Sequence, residues 1–170
     1  MPDWQTMTAR LESAKRRLGE EVPGYPWAPQ APRPGCDESG LTAIAELLGS
    51  PLDRQHREFL AHCDGWPEFF LGTVLFGSAE FLGSEFPAAR ELLQYAELGE
   101  HDPNRLCPIA ASAENINIFV LEKGDGPDPA RVIWFAGYEV EAYQDFEAFF
   151  TMVTTSFEEE LARPAQDRPY

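Results

Sequence analysis

The chain has 170 residues, is 44% hydrophobic and 25% charged, and carries a formal net charge of −16. That is a globular composition in which no apolar run nears the roughly 18 residues a membrane helix needs, and at this length one domain covers the chain and needs no metal or disulfide staple. The charge is uneven: residues 1–35 hold five Lys/Arg against four Asp/Glu, and residues 36–170 hold eight against 25, a body that repels nucleic acid and anionic lipid and attracts basic protein.

Met1–Gln5 lacks a charged n-region followed by an apolar stretch, so no signal peptide is expected. Cys36, Cys63 and Cys107 are odd in number and form no CxxC, which fits reduced thiols in a cytoplasmic protein. Trp4, Met7, Leu11, Ala14 and Leu18 recur at helical spacing and predict an amphipathic helix over 3–20, with Asp3 as cap and Gly19 as stop. Arg10, Lys15, Arg16 and Arg17 make its opposite side basic. Five prolines in 22–35 rule out helix or inner strand there. An extended strap follows, pinned to the body by Tyr25 and Trp27.

A second helix is predicted over 38–48, ending at Gly49. Ser50-Pro51-Leu52-Asp53 opens a third, with Ser50 as cap and Pro51 in the first helical position, and Asp64-Gly65 closes it. Residues 69–76 read as a β-like apolar run and 87–98 as a helix with Ser84 as a possible cap. Leu92, Leu93 and Leu98 point inward from it. Strands are predicted at Leu106–Ala111, Ile116–Glu122 and Arg131–Ala136, the last two joined by a Gly-Asp-Gly-Pro turn into a hairpin. A short strand near Glu139–Ala142 and a Phe-rich helix from Asp145 follow; 163–170 reads as a frayed tail. This is an α+β layout, a largely antiparallel, curved sheet covered by helices on one side.

Glu46-x-Leu48-Gly49, then Pro51-Leu52, then Arg57-Glu58-Phe59-Leu60, then Asp64-Gly65 resembles the core pattern of the SUKH superfamily, which includes the Smi/Knr cell-wall assembly regulators of yeast. The strands at 116–121 and 132–135, and the Phe-Glu pairs at Phe146-Glu147 and Phe157-Glu158, are similar too. The resemblance spans roughly 40–162. The Leu-Pro order of the family stands here as Pro51-Leu52, and a helix interrupts the β-segments. The resemblance implies a SUKH-like core at 36–162, preceded by a helix and strap at 1–35 and followed by a tail at 163–170. It also implies a binding role without catalysis. Bacterial members resemble cytoplasmic immunity proteins that block a cognate toxin, often a nuclease or deaminase.

Chemistry in the residues is sparse. His56, His62 and Cys63 lack the spacing that completes a metal site. His56 and Cys63 could be a base and nucleophile, but on the apolar side of one helix they read as core. Asp125 and Asp128 sit in a Gly/Pro loop that reads as a turn or a weak calcium loop. Paired carboxylates leave a small hydrolase as a third class, to be known by an ordered pocket with raised pKa values. No catalytic residue, metal or cofactor is assigned. The partner-binding candidates are Asp64, Trp66, Glu68, Glu80, Glu85, Asp125 and Asp128, with Trp66 either an interface anchor on a loop or tucked under the sheet edge. The function expected is an immunity protein that occludes a basic, nucleic-acid-acting toxin, acting as a monomer or weak dimer. The alternative is a regulatory or scaffold protein of the Smi/Knr type.

Overall fold

A computed structural model describes residues 1–170. The elements run α1 (Trp4–Glu21), α2 (Glu38–Leu48), α3 (Arg54–His62), β1 (Trp66–Phe70), β2 (Thr73–Leu75), α4 (Ser78–Leu82), α5 (Glu85–Leu93), β3 (Leu106–Ala111), β4 (Asn117–Glu122), β5 (Arg131–Ala136), β6 (Glu139–Tyr143) and α6 (Phe146–Ala162). The six strands form one antiparallel meander in chain order, an open curved sheet with helices packed on it: an α+β fold. No helix is long and apolar enough to cross a membrane.

The register shows two buried faces rather than the one that the layout predicts. Phe119 pairs with Trp134 and looks toward α6, where the Phe149 ring lies 4.9 Å from it. Its neighbour Ile118 pairs with Phe135 and looks the other way, under Leu92 and Leu93 of α5. Strand alternation sends adjacent residues to opposite faces, and both are buried here, so β4 and β5 read as nearly continuous apolar runs. Phe150 of α6 joins the layers, with Trp4, Phe59 and Phe69 all within 5.9 Å of its ring.

Local chemistry sets the boundaries. Asp3 caps α1 by accepting from the Thr6 N–H at 3.1 Å. The helix passes through Gly19 and stops at Val22, ahead of Pro23. Gly19 serves a crossing instead: a Cβ there would stand 3.0 Å from Pro29 of the strap. α3 is capped by Asp53, not Ser50. The Asp53 carboxylate accepts from the His56 N–H at 3.1 Å and, with its other oxygen, from Ala130 N–H at 3.0 Å. One side chain thereby starts the helix and ties it to the β4–β5 loop, and Pro51 stays outside.

The apolar run at 69–76 is a hairpin. Leu71 and Gly72 take φ of 52° and 71°, and Phe70 pairs with Thr73 across them. Two successive positive φ values match the twist of a two-residue hairpin turn. The helix predicted at 87–98 runs instead from Glu85 to Leu93, with Pro87 in its first turn, where a missing N–H costs nothing. It ends early because the chain unwinds at 94–96 and Glu97 bridges to Tyr138.

The strap is pinned by more than Tyr25 and Trp27, whose rings pack against Tyr170. The Trp66 indole N–H donates to Gln30 O at 2.7 Å, Arg33 N–H donates to Gly65 O at 3.1 Å, and Pro34 bridges to Cys63. The tail is packed rather than frayed: Tyr170 lies edge-on to Tyr25 at 5.6 Å and donates its hydroxyl to Glu160.

Candidate functional site

The residues singled out from sequence do not converge. Trp66 is fully buried at the start of β1, so it anchors the strap and presents nothing to a partner. Asp64 accepts from both the backbone N–H (2.6 Å) and the hydroxyl of Ser78, fixing the start of α4. Glu80 is buried and forms a bidentate pair with Arg33 at 2.6 and 2.8 Å, while accepting from the Gly77 N–H at 2.9 Å. Burial pushes the Glu80 carboxyl up, but Arg33 and the Gly77 N–H outweigh it and hold the group below the ordinary carboxylate value. These three are joints between strap and body. Glu68 and Glu85 are exposed on separate elements. Asp125 pairs with Arg105 and Asp128 is exposed in the β4–β5 loop.

The buried nucleophiles and histidines are core groups. Burial pushes the thiols of Cys63 and Cys107 up to about 12, so both are protonated at neutral pH. His56 packs against Phe81 and Phe146, and burial lowers its pKa to about 4. His62 points elsewhere, to the Thr8 hydroxyl at 3.0 Å. The basic side of α1 is also consumed. Arg10 pairs with Glu158 at 2.6 Å, Arg16 and Arg17 pair along the helix with Glu20 and Glu21, and Lys15 turns inward.

A surface with anchors and charge lies where the 94–102 segment meets the β5–β6 turn. Tyr95 is 78% exposed, Tyr138 61%, Ile116 56% and Val140 40%. The Glu97 N–H donates to Gly137 O at 2.7 Å and bridges to Tyr138, bringing the two segments together. Gly137, at φ 81°, permits the turn, and the Ile116 side chain lies against it. Beneath them sits a small cavity of about 60 Å³, walled by Leu93, Ala96, Ile118 and Phe135 among others.

The segments that carry these side chains are acidic. Residues 91–104 contain Glu91, Glu97, Glu100 and Asp102 and no Lys or Arg. Residues 132–143 contain Glu139 and Glu141 and no Lys or Arg. At the base His101 bridges two strands: Nε2 to Glu139 at 2.7 Å and Nδ1 to Glu122, with Arg131 also on Glu122. The hydrogen bonds to Glu139, then to Glu122, raise the His101 pKa above its ordinary 6.5. The segment is therefore held by a charge-assisted clasp, and its tyrosines are presented from a fixed backbone.

The two sheet edges differ. On β1 the strap covers the start of the strand, and Lys15 donates to Glu68 O and, at 3.0 Å, to Phe69 O. β6 leaves Glu139 through Ala142 exposed. Sequence reasoning missed Tyr95 and Tyr138 because the helix predicted over 87–98 absorbed the first, and β6 was read only as a short strand. The signal present was tyrosine interleaved with glutamate off the apolar stripe, Tyr95-Ala96-Glu97 and Tyr138-Glu139-Val140-Glu141. Exposed aromatic anchors on acidic segments suit the recognition of a basic protein surface, where buried aromatics supply affinity and charge supplies approach.

No curated protein matches the chain. The model of the SMI1 / KNR4 family (SUKH-1) matches residues 35–152, more than half of the chain, and the chain belongs to that family.

Proposed function

We propose that the protein is a cytoplasmic immunity protein that binds a cognate cationic toxin through the face built by Tyr95, Ile116, Tyr138 and Val140, and blocks it by occupying the surface that would grip nucleic acid. The observation that carries the reading is this face: four exposed apolar side chains carried on acidic segments. The family match, to a domain associated with protein–protein interaction, supports it.

The mechanism is steric and electrostatic. A toxin that holds a phosphate backbone presents Lys and Arg. The carboxylates of Glu97, Glu100 and Glu139 copy that negative charge and steer encounter, which can raise association rates by roughly 10- to 1,000-fold at low salt. Tyr95 and Tyr138 then supply desolvated contact that slows release. A Smi/Knr-type regulatory module is the second reading, and the same family match is consistent with it.

A protection assay separates the two. The protein is co-expressed with the product of the neighbouring gene, and survival is scored with and without Tyr95→Ala/Tyr138→Ala. Immunity predicts survival with the wild-type chain and killing with the double variant. Unchanged killing in the presence of the wild-type chain counts against immunity.

A further inference from the structure

We propose that the cavity beneath the proline strap binds a small neutral aromatic molecule that carries a hydrogen-bond acceptor. The cavity has a volume of about 300 Å³, at the lower end of the range of ligand sites. Its walls are the rings of Tyr25, Trp27, Phe70, Phe157 and Tyr170, and Lys15 closes the floor. Aromatic walls prefer a flat guest that can stack or meet them edge-on.

The charge of the guest follows from the polar groups present. Lys15 is 5% exposed, and its ammonium lies over the rings of Trp66 (5.5 Å) and Phe157 (5.2 Å). It donates to the carbonyls of Glu68 and Phe69, and of its three N–H bonds one is left for a guest. Glu68 and Glu160 also line the cavity. An anionic guest meets those two carboxylates and a cationic guest meets the ammonium. A neutral guest with one carbonyl or hydroxyl oxygen meets neither penalty and takes the free N–H.

The site is also separate from what the family shares. Ten of the fourteen lining residues lie outside the matched segment 35–152, on α1, the strap, the last turns of α6 and the tail. The added N-terminal helix, strap and C-terminal residues together build this chamber, and the Tyr25, Trp27 and Tyr170 rings lie within 6.3 Å of one another at its wall. None of its lining belongs to the acidic face, so the inference stands apart from the partner reading.

The test uses three probes of one shape: 2-naphthamide, 2-naphthoate and 2-naphthylmethylamine, titrated into the full chain and followed by calorimetry and by the NMR signal of the Trp27 indole N–H. The expected result is saturable binding of 2-naphthamide, at least tenfold tighter than either charged probe. Ser156→Phe, which fills the chamber, and Trp27→Ala, which removes a wall and is 53% exposed in the wild type and so spares the fold, each weaken it at least tenfold. Absence of saturable binding, tighter binding of a charged probe, or unchanged affinity in folded Trp27→Ala overturns the proposal.

Discussion

Two histidines of opposite environment set the response of stability to pH. His56 is buried with its Nε2 unpartnered, and its folded pKa of about 4 lies below the ordinary 6.5. Its neutral form is favoured by folding, so its share of stability is fully present above pH 6.5 and is lost as pH falls toward 4. His101 is raised instead. Its share is fully present below 6.5 and is lost as pH rises through the higher folded value. Urea midpoints followed across pH 4–8, below the range where Lys15, lowered by burial to about 8, adds an opposing change, are expected to fall on both sides. His56→Leu should flatten the acid limb and His101→Gln the other; an unchanged limb in either variant contradicts the assignment. Arg33→Ala tests the joint between strap and body. It leaves Glu80 buried without its cation, and because Arg33 is about one-third exposed the loss is expected at about 2 kcal/mol, below the 3–5 of a fully buried pair. The Glu80 pKa is depressed, so this loss shrinks as pH falls through the folded value, a convergence that equilibrium denaturation in acid can follow.

At the scale of elements, the parts governed by local chemistry were the legible ones. The strands β3, β4 and β5 and the start of α6 at Asp145 follow from apolar runs, turn residues and a capping carboxylate. The predicted family stands on the match over residues 35–152, and the Asp64-Gly65 step leads into β1 as the family pattern implies. Gly65 has φ 86°, and a Cβ there would come within 2.6 Å of Gly77 N and 2.8 Å of Leu75 O. Gly65→Ala is therefore expected to cost about 2 kcal/mol or more, measured by thermal or urea unfolding; a loss under about 0.5 kcal/mol contradicts the close packing. Where long-range contacts decide, local reading failed. Ser50 and Asp53 are both capping types, and besides the local His56 N–H it is the Ala130 N–H, far along the chain, that holds the Asp53 carboxylate in place. Lys15 reads as a surface cation on α1, yet the carbonyls of β1 draw it inside. The 94–102 segment unwinds because β5–β6 offers Glu97 a bridge, which helical periodicity cannot reveal.

For the molecule as a whole, the acidic balance was readable from composition, but its functional geometry was not. The segments of Tyr95 and Tyr138 meet only through the meander and the Glu97–Tyr138 bridge, whereas of the candidates chosen from sequence Asp64, Trp66 and Glu80 fall on joints between strap and body and Glu68, Glu85 and Asp128 lie exposed elsewhere. The charge distribution has a consequence for association: steering by Glu97, Glu100 and Glu139 weakens with salt, since exposed charges are screened over about 8 Å at physiological ionic strength. The tyrosine contacts should persist, so salt is expected to slow association more than it speeds release. The most direct measurement is the affinity of the neighbouring gene product for the wild-type chain and for Tyr95→Ala/Tyr138→Ala, by calorimetry, with circular dichroism to show the fold unchanged. Tight wild-type binding and at least about a 100-fold loss in the double variant are expected; equal affinity for the two chains contradicts the assignment of the face.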